Sequence, residues 1–112
     1  MEINDYQKQI RDYIDYPLTL GPFSVILDLQ NNVGNLSAKL NDALIKDHGS
    51  FTKETKTKAA ISIGDILFDL SNIAYDLGFS FNEIISLNLM KHRMNMEKQI
   101  KENETNKTVN NS

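Results

Sequence analysis

Apolar side chains recur three and four residues apart through two long stretches, and this spacing leaves the chain little choice of architecture. In the first stretch they are Val25, Ile26, Leu29, Val33, Leu36, Leu40 and Leu44. At 3.6 residues per turn they form one face of a helix of about six turns. In the second stretch Ala59, Ala60, Ile61, Ile63, Ile66, Leu67, Phe68, Leu70, Ile73 and Leu77 leave little of the circumference polar, the mark of a helix central to a bundle. The run is too long for a buried strand, and no other segment has strand character. The spacing predicts an all-α chain.

Caps and breakers divide it into four main helices. Asn4, with Gln7 three residues on, predicts a capping box for a first helix over Asp5 to about Ile14, and Tyr16-Pro17 ends it. Pro22 suits the first position of the second helix. His48-Gly49-Ser50 is the next loop, and Ser50 or Thr52 can cap the third helix. Gly78 is a natural stop, and Ser80-Phe81-Asn82-Glu83 is a capping box for a fourth helix, whose apolar residues Ile84 to Met90 give way to a polar run over Lys91 to Lys101. Residues 1–100 form the helical domain. Residues 101–112 carry one apolar side chain and are expected to be disordered.

Composition removes several function classes. The net charge of -3 gives no basic field for nucleic-acid phosphates. Without cysteine there is neither a disulfide framework nor thiolate metal ligation, and the only histidines, His48 and His92, have no ligand spacing. No apolar run approaches the ~18 residues of a membrane span, and the first residues lack the apolar core of a signal peptide. A cytoplasmic protein is expected.

The chemistry lies in two polar stripes on the apolar helices. Asp28, Asn32, Asn35 and Lys39 follow one another at helical spacing on the second helix, as do Ser62, Asp65, Asp69, Asn72 and Asp76 on the third. Polar groups bordered by so much apolar surface need partners to offset their desolvation. The stripes share a local pattern: Asn32-Val33-Gly34-Asn35-Leu36 against Ser62-Ile63-Gly64-Asp65-Ile66. A glycine at matching points of two helices predicts close backbone approach there, with the polar pairs facing each other. Acids at such positions on facing helices build bundle metal sites.

These pieces, in order, resemble the MazG-like nucleoside triphosphate pyrophosphohydrolases. The matching segments are Tyr6-Gln7, Tyr16-Pro17, Gly34-Asn35-Leu36, the run from Ile63 to Ile84, and Asn88-Leu89-Met90-Lys91. The likeness covers about residues 3 to 98. It implies a MazG-like helical bundle, assembled as a homodimer or a dimer of dimers, that uses Mg²⁺ to cut a nucleotide between its α- and β-phosphates. Four carboxylates hold the metal in that family, and the corresponding positions here are Asn32, Asn35, Ser62 and Asp65. Asp65 alone keeps the charge. An Asn carbonyl can ligate a hard cation but adds no charge, and Ser62 is shorter as well as neutral.

The expectation is therefore a catalytically degenerate member that retains a nucleotide- or protein-binding role, with Asn88, Lys91 and Arg93 as phosphate contacts. A second expectation moves the acidic site by one turn, so that Asp28, Asp65 and Asp69 hold the cation and activity survives. The bland counterpart has Asp28 and Asp69 paired with lysines such as Lys39 or facing solvent. A third is a helical interaction module with no ligand.

Overall fold

The computed structural model describes the backbone of residues 1–13 and 23–110, and the side chains of these as far as residue 107. Four α-helices are present: α1 (Ile3–Ile10), α2 (Phe23–Lys46), α3 (Lys53–Asp76) and α4 (Phe81–Asn110), with a 3-10 turn over Arg11–Tyr13. There is no strand among the described residues. No helix among them is long and apolar enough to cross a membrane. The proposed breaks at Tyr16-Pro17 and Pro22 lie outside the described residues.

The helix boundaries follow local chemistry closely. Thr52 caps α3, its hydroxyl accepting from the Thr55 N–H at 3.2 Å. Gly78 takes φ +83° beyond the end of α3, a conformation that side chains disfavour. Ser80 and Glu83 close the expected capping box at the start of α4: each side chain accepts from the other's backbone N–H at 3.2 Å. Between α2 and α3 the chain turns through His48 (φ +55°) and Gly49 (φ +87°).

Three expectations are corrected. First, Asn4 does not cap α1. It lies inside that helix, and its carbonyl oxygen accepts from the Asn82 N–H at 3.1 Å, so it caps α4 instead. Second, α4 does not end near residue 100 but runs to Asn110. Lys101, Glu102, Glu104 and Lys107 are good helix formers, and they carry the helix through a stretch in which Asn and Thr make up half of residues 101–110. Third, Gly34 and Gly64 do not mark close approach, because a Cβ on either would meet nothing within 4 Å. Both face away from the α2–α3 contact.

The antiparallel α2–α3 hairpin is the main packing unit, and α1 lies against α3 and the start of α4. Gln7 holds that junction. Its Nε2 donates to the Phe79 carbonyl at 3.0 Å, and its Oε1 accepts from the Phe81 N–H at 3.1 Å. Tyr6 stacks on Phe81 with ring centroids 6.5 Å apart. Gln7 thus satisfies two backbone groups in the turn between α3 and α4, and Gln7→Ala would leave both without it. The expected loss is about 1–2 kcal/mol of stability, read from urea midpoints, with Gln7→Glu intermediate because it keeps the acceptor but loses the donor.

The interior is unusual in what it buries. Ser62, Asp69, Ser71 and Asn72 of α3 are buried, while Ile61, Ile63, Leu67 and Leu70 of the same helix are exposed. α3 is central, as its apolar character predicts, but its polar stripe points inward.

Candidate polar site between helices α2 and α3

The two stripes do meet. Asn32 Nδ2 donates to Asp28 Oδ2 at 3.1 Å on its own helix and to Asp69 Oδ2 at 2.9 Å on the facing one. Two turns along, Lys39 Nζ donates to Ser62 Oγ at 3.3 Å. Helical spacing explains both contacts, since Asn32 and Lys39 lie seven residues apart on α2, as do Ser62 and Asp69 on antiparallel α3. A cavity of about 420 Å³ opens beside Asn32, lined by Tyr13, Asp28, Asn32, Asp65 and Phe68.

Asp69 is the most perturbed group. Only 1 % of its surface is exposed, and its pKa is raised from 3.8 to about 7, with burial the largest cause. Within that rise a hydrogen bond shared with Asp28 comes next, the Asn32 amide opposes it, and the charges of Asp28 and Asp65 contribute the rest. The protonated form of Asp69 is therefore favoured well above the usual carboxylate range. Burial, and then the charge of Asp65, also raise the Tyr6 phenol.

The remaining predicted residues are spread out. Asn35 and Asp65 are exposed rather than facing each other in a closed site. Asp28 is exposed and Asp69 buried, and neither pairs with Lys39. Asn88, Lys91 and Arg93 stand on an exposed stretch of α4 and make no hydrogen bond or ion pair among the described residues.

The donor set does not fit Mg²⁺. Of the four residues compared with metal-binding carboxylates above, Asn32 points its amide N–H groups at two carboxylates, Ser62 accepts from an ammonium, and Asn35 and Asp65 are exposed. A hard cation needs oxygen lone pairs directed at it, and Asn32 presents donors. Among the described residues no group of three or more acids or histidines is placed to hold a metal ion.

A second polar cluster was not singled out from the sequence. Arg11 lies 3.8 Å from the centroid of the Tyr75 ring, donates to Asn72 Oδ1 at 3.2 Å and approaches Asp76 at 3.7 Å. Asn72 in turn donates to the Phe68 carbonyl at 3.2 Å. Beside it a cavity of about 590 Å³ is lined by Gln7, Lys8, Arg11, Tyr75 and Phe79 among others. The signal was present in the spacing of Asn4, Gln7 and Arg11, a polar stripe on α1 that points at α3 and α4. No protein-family model, curated protein or solved structure matches the chain.

Proposed function

We propose that the chain is a MazG-like helical protein in which an internal polar network stands where a hydrolytic metal centre would be, leaving a nucleotide-binding role. The arrangement that supports this most directly is the Asn32 amide between the carboxylates of Asp28 and Asp69, with the Lys39 ammonium on Ser62. Asp28 and Asp69 already have a donor from the chain itself, which leaves Asp65 as the one carboxylate beside the cavity without a hydrogen bond among the described residues. The cavity beside Asn32 is of small-molecule size. Its carboxylates repel a bare triphosphate, so the base and sugar enter it, between Tyr13 and Phe68, and the phosphates stay outside.

One observation favours the rival, an active hydrolase with a relocated acidic site. Asp28 and Asp65 line one cavity, and Asp69, held to Asn32 beside it, titrates near neutrality as a general base should. Incubation with each deoxynucleoside triphosphate and Mg²⁺ or Mn²⁺ separates the two. No pyrophosphate above background is expected, together with a rise in melting temperature on adding nucleotide. Turnover lost in Asp65→Ala would sink the degenerate-site proposal in favour of the hydrolase. Absence of both turnover and thermal shift would leave a helical interaction module. In the triple variant Asn32→Glu, Asn35→Glu, Ser62→Glu, a gain of Mn²⁺ binding would show that the backbone still suits a metal.

A further inference from the structure

The cavity beside Arg11 is opposite in charge to the one beside Asn32. The two share no lining residue, and where Asp28 and Asp65 border the cavity at Asn32, Lys8 and Arg11 border this one, with no carboxylate in its lining. Two cations at one cavity stand out in a chain of net charge -3. At about 590 Å³ the space is of small-molecule size.

Its donors are only partly used. Arg11 gives Nη1 to Asn72 at 3.2 Å, and the same nitrogen lies 3.7 Å from Asp76. The guanidinium's other donors, on Nη2 and Nε, meet no acceptor among the described residues. The Tyr75 ring, its centroid 3.8 Å away, holds the guanidinium in place, so an anion that takes up those donors has little left to order. Lys8 makes no ion pair among the described residues. Ser80 Oγ accepts from the Glu83 N–H, which leaves its own hydroxyl hydrogen to donate. Gln7, by contrast, has both ends of its amide committed to the backbone of Phe79 and Phe81 and is a fixed part of the lining.

The apolar part of the lining is aromatic. Tyr75 and Phe79 are 55 % and 43 % exposed although both border a concave surface. Rings beside cations match a flat apolar molecule that ends in an anionic group: its ring packs on the aromatic side chains, and its oxygens accept from the guanidinium, the ammonium and the hydroxyl. A bare inorganic anion would leave the rings in water, and a neutral ring would leave the cations unpaired.

We propose that this cavity binds a small aromatic carboxylate, with Arg11, Lys8 and Ser80 on the carboxylate and Tyr75 and Phe79 on the ring. The ligand then ties the N-terminal segment, which carries Lys8 and Arg11, to the end of α3, which carries Tyr75. The site has nothing in common with the cavity beside Asn32, so it fails or stands separately from the nucleotide reading.

The test is a titration of the full chain with 2-naphthoate, followed by backbone amide NMR shifts. Saturating shifts at Lys8, Gly78, Phe79 and Ser80 are expected, with a Kd of about 1 mM or tighter. 2-Naphthamide, which keeps the ring without the charge, and inorganic phosphate, which keeps charge without the ring, should each bind at least about tenfold more weakly. Lys8→Gln alters an exposed side chain without an ion pair, and should weaken naphthoate about fivefold at an unchanged melting temperature. Arg11→Lys keeps the charge but loses the planar fork, and should weaken it by more than about tenfold. Bound naphthoate should also slow amide exchange in α1. The proposal is overturned by the absence of saturable shifts, by naphthamide or phosphate binding as tightly as naphthoate, by Lys8→Gln without effect, or by shifts centred on Asn32 and Asp65.

Discussion

Raising the pH from about 5 to about 8 is expected to destabilise the fold through Asp69, the reverse of the usual carboxylate effect. The folded-state pKa is about 7 against 3.8 for the free side chain. Between those values the folded chain holds a proton that the unfolded chain has released. Stability from this group is therefore complete below about pH 4 and is lost as the pH rises through 7. Screening by water around exposed Asp28 keeps the loss on the order of 1–2 kcal/mol, below the ~4 kcal/mol of an unscreened three-unit shift. Asp69→Asn imitates the protonated form: its amide can donate to Asp28 and its carbonyl accept from Asn32. Urea midpoints measured across this range should fall for the natural chain relative to Asp69→Asn, whose curve lacks the step. Parallel curves would show that Asp69 is ionised in the folded chain throughout.

Loss of the Asn72 side chain should cost more. Asn72 is wholly buried, accepts from the Arg11 guanidinium and donates to the Phe68 carbonyl. Asn72→Ala removes a charge-assisted hydrogen bond and leaves a small void, together about 2–3 kcal/mol. Asp76→Ala makes the opposing case. Its contact with Arg11 is longer, at 3.7 Å, and both side chains meet solvent. An exposed pair of this kind is worth at most about 1 kcal/mol. The Asn72 variant should therefore lose two to three times as much stability in urea as the Asp76 variant. Equal losses would place the weight of the cluster on the ion pair and the Tyr75 stack rather than on the buried amide.

What was legible in the sequence was whatever depends on neighbours a few residues away. The third and fourth helices start at Thr52 and Ser80 because their caps lie within four residues, and Gly78 ends α3 because its backbone needs φ > 0. The polar stripes were legible as well, since helical periodicity alone aligns Asp28, Asn32 and Lys39. What each side chain does there was not. Lys39 on Ser62 and Asn32 on Asp69 depend on the register of α2 against α3, a property of the packed pair. Asn4 and Gln7 illustrate the same limit: their spacing fits a local capping box, and tertiary contact uses both groups on α4 and the turn before it instead. Gly34 and Gly64 misled because a helix glycine can equally mark a crossing or an unburdened outer position, and here it marks the latter.

The attachment of α1 has a kinetic consequence. This helix of eight residues is too short to persist alone, and Gln7, Tyr6 and Arg11 tie it to groups more than sixty positions away in the chain. Such a segment opens at less cost than the hairpin beneath it and recloses without the rest unfolding. Tyr13, at the end of the same segment, forms one wall of the cavity beside Asn32. Release of α1 therefore removes that wall, while α2 and α3 keep Asp28, Asn32, Asp65 and Phe68 in place.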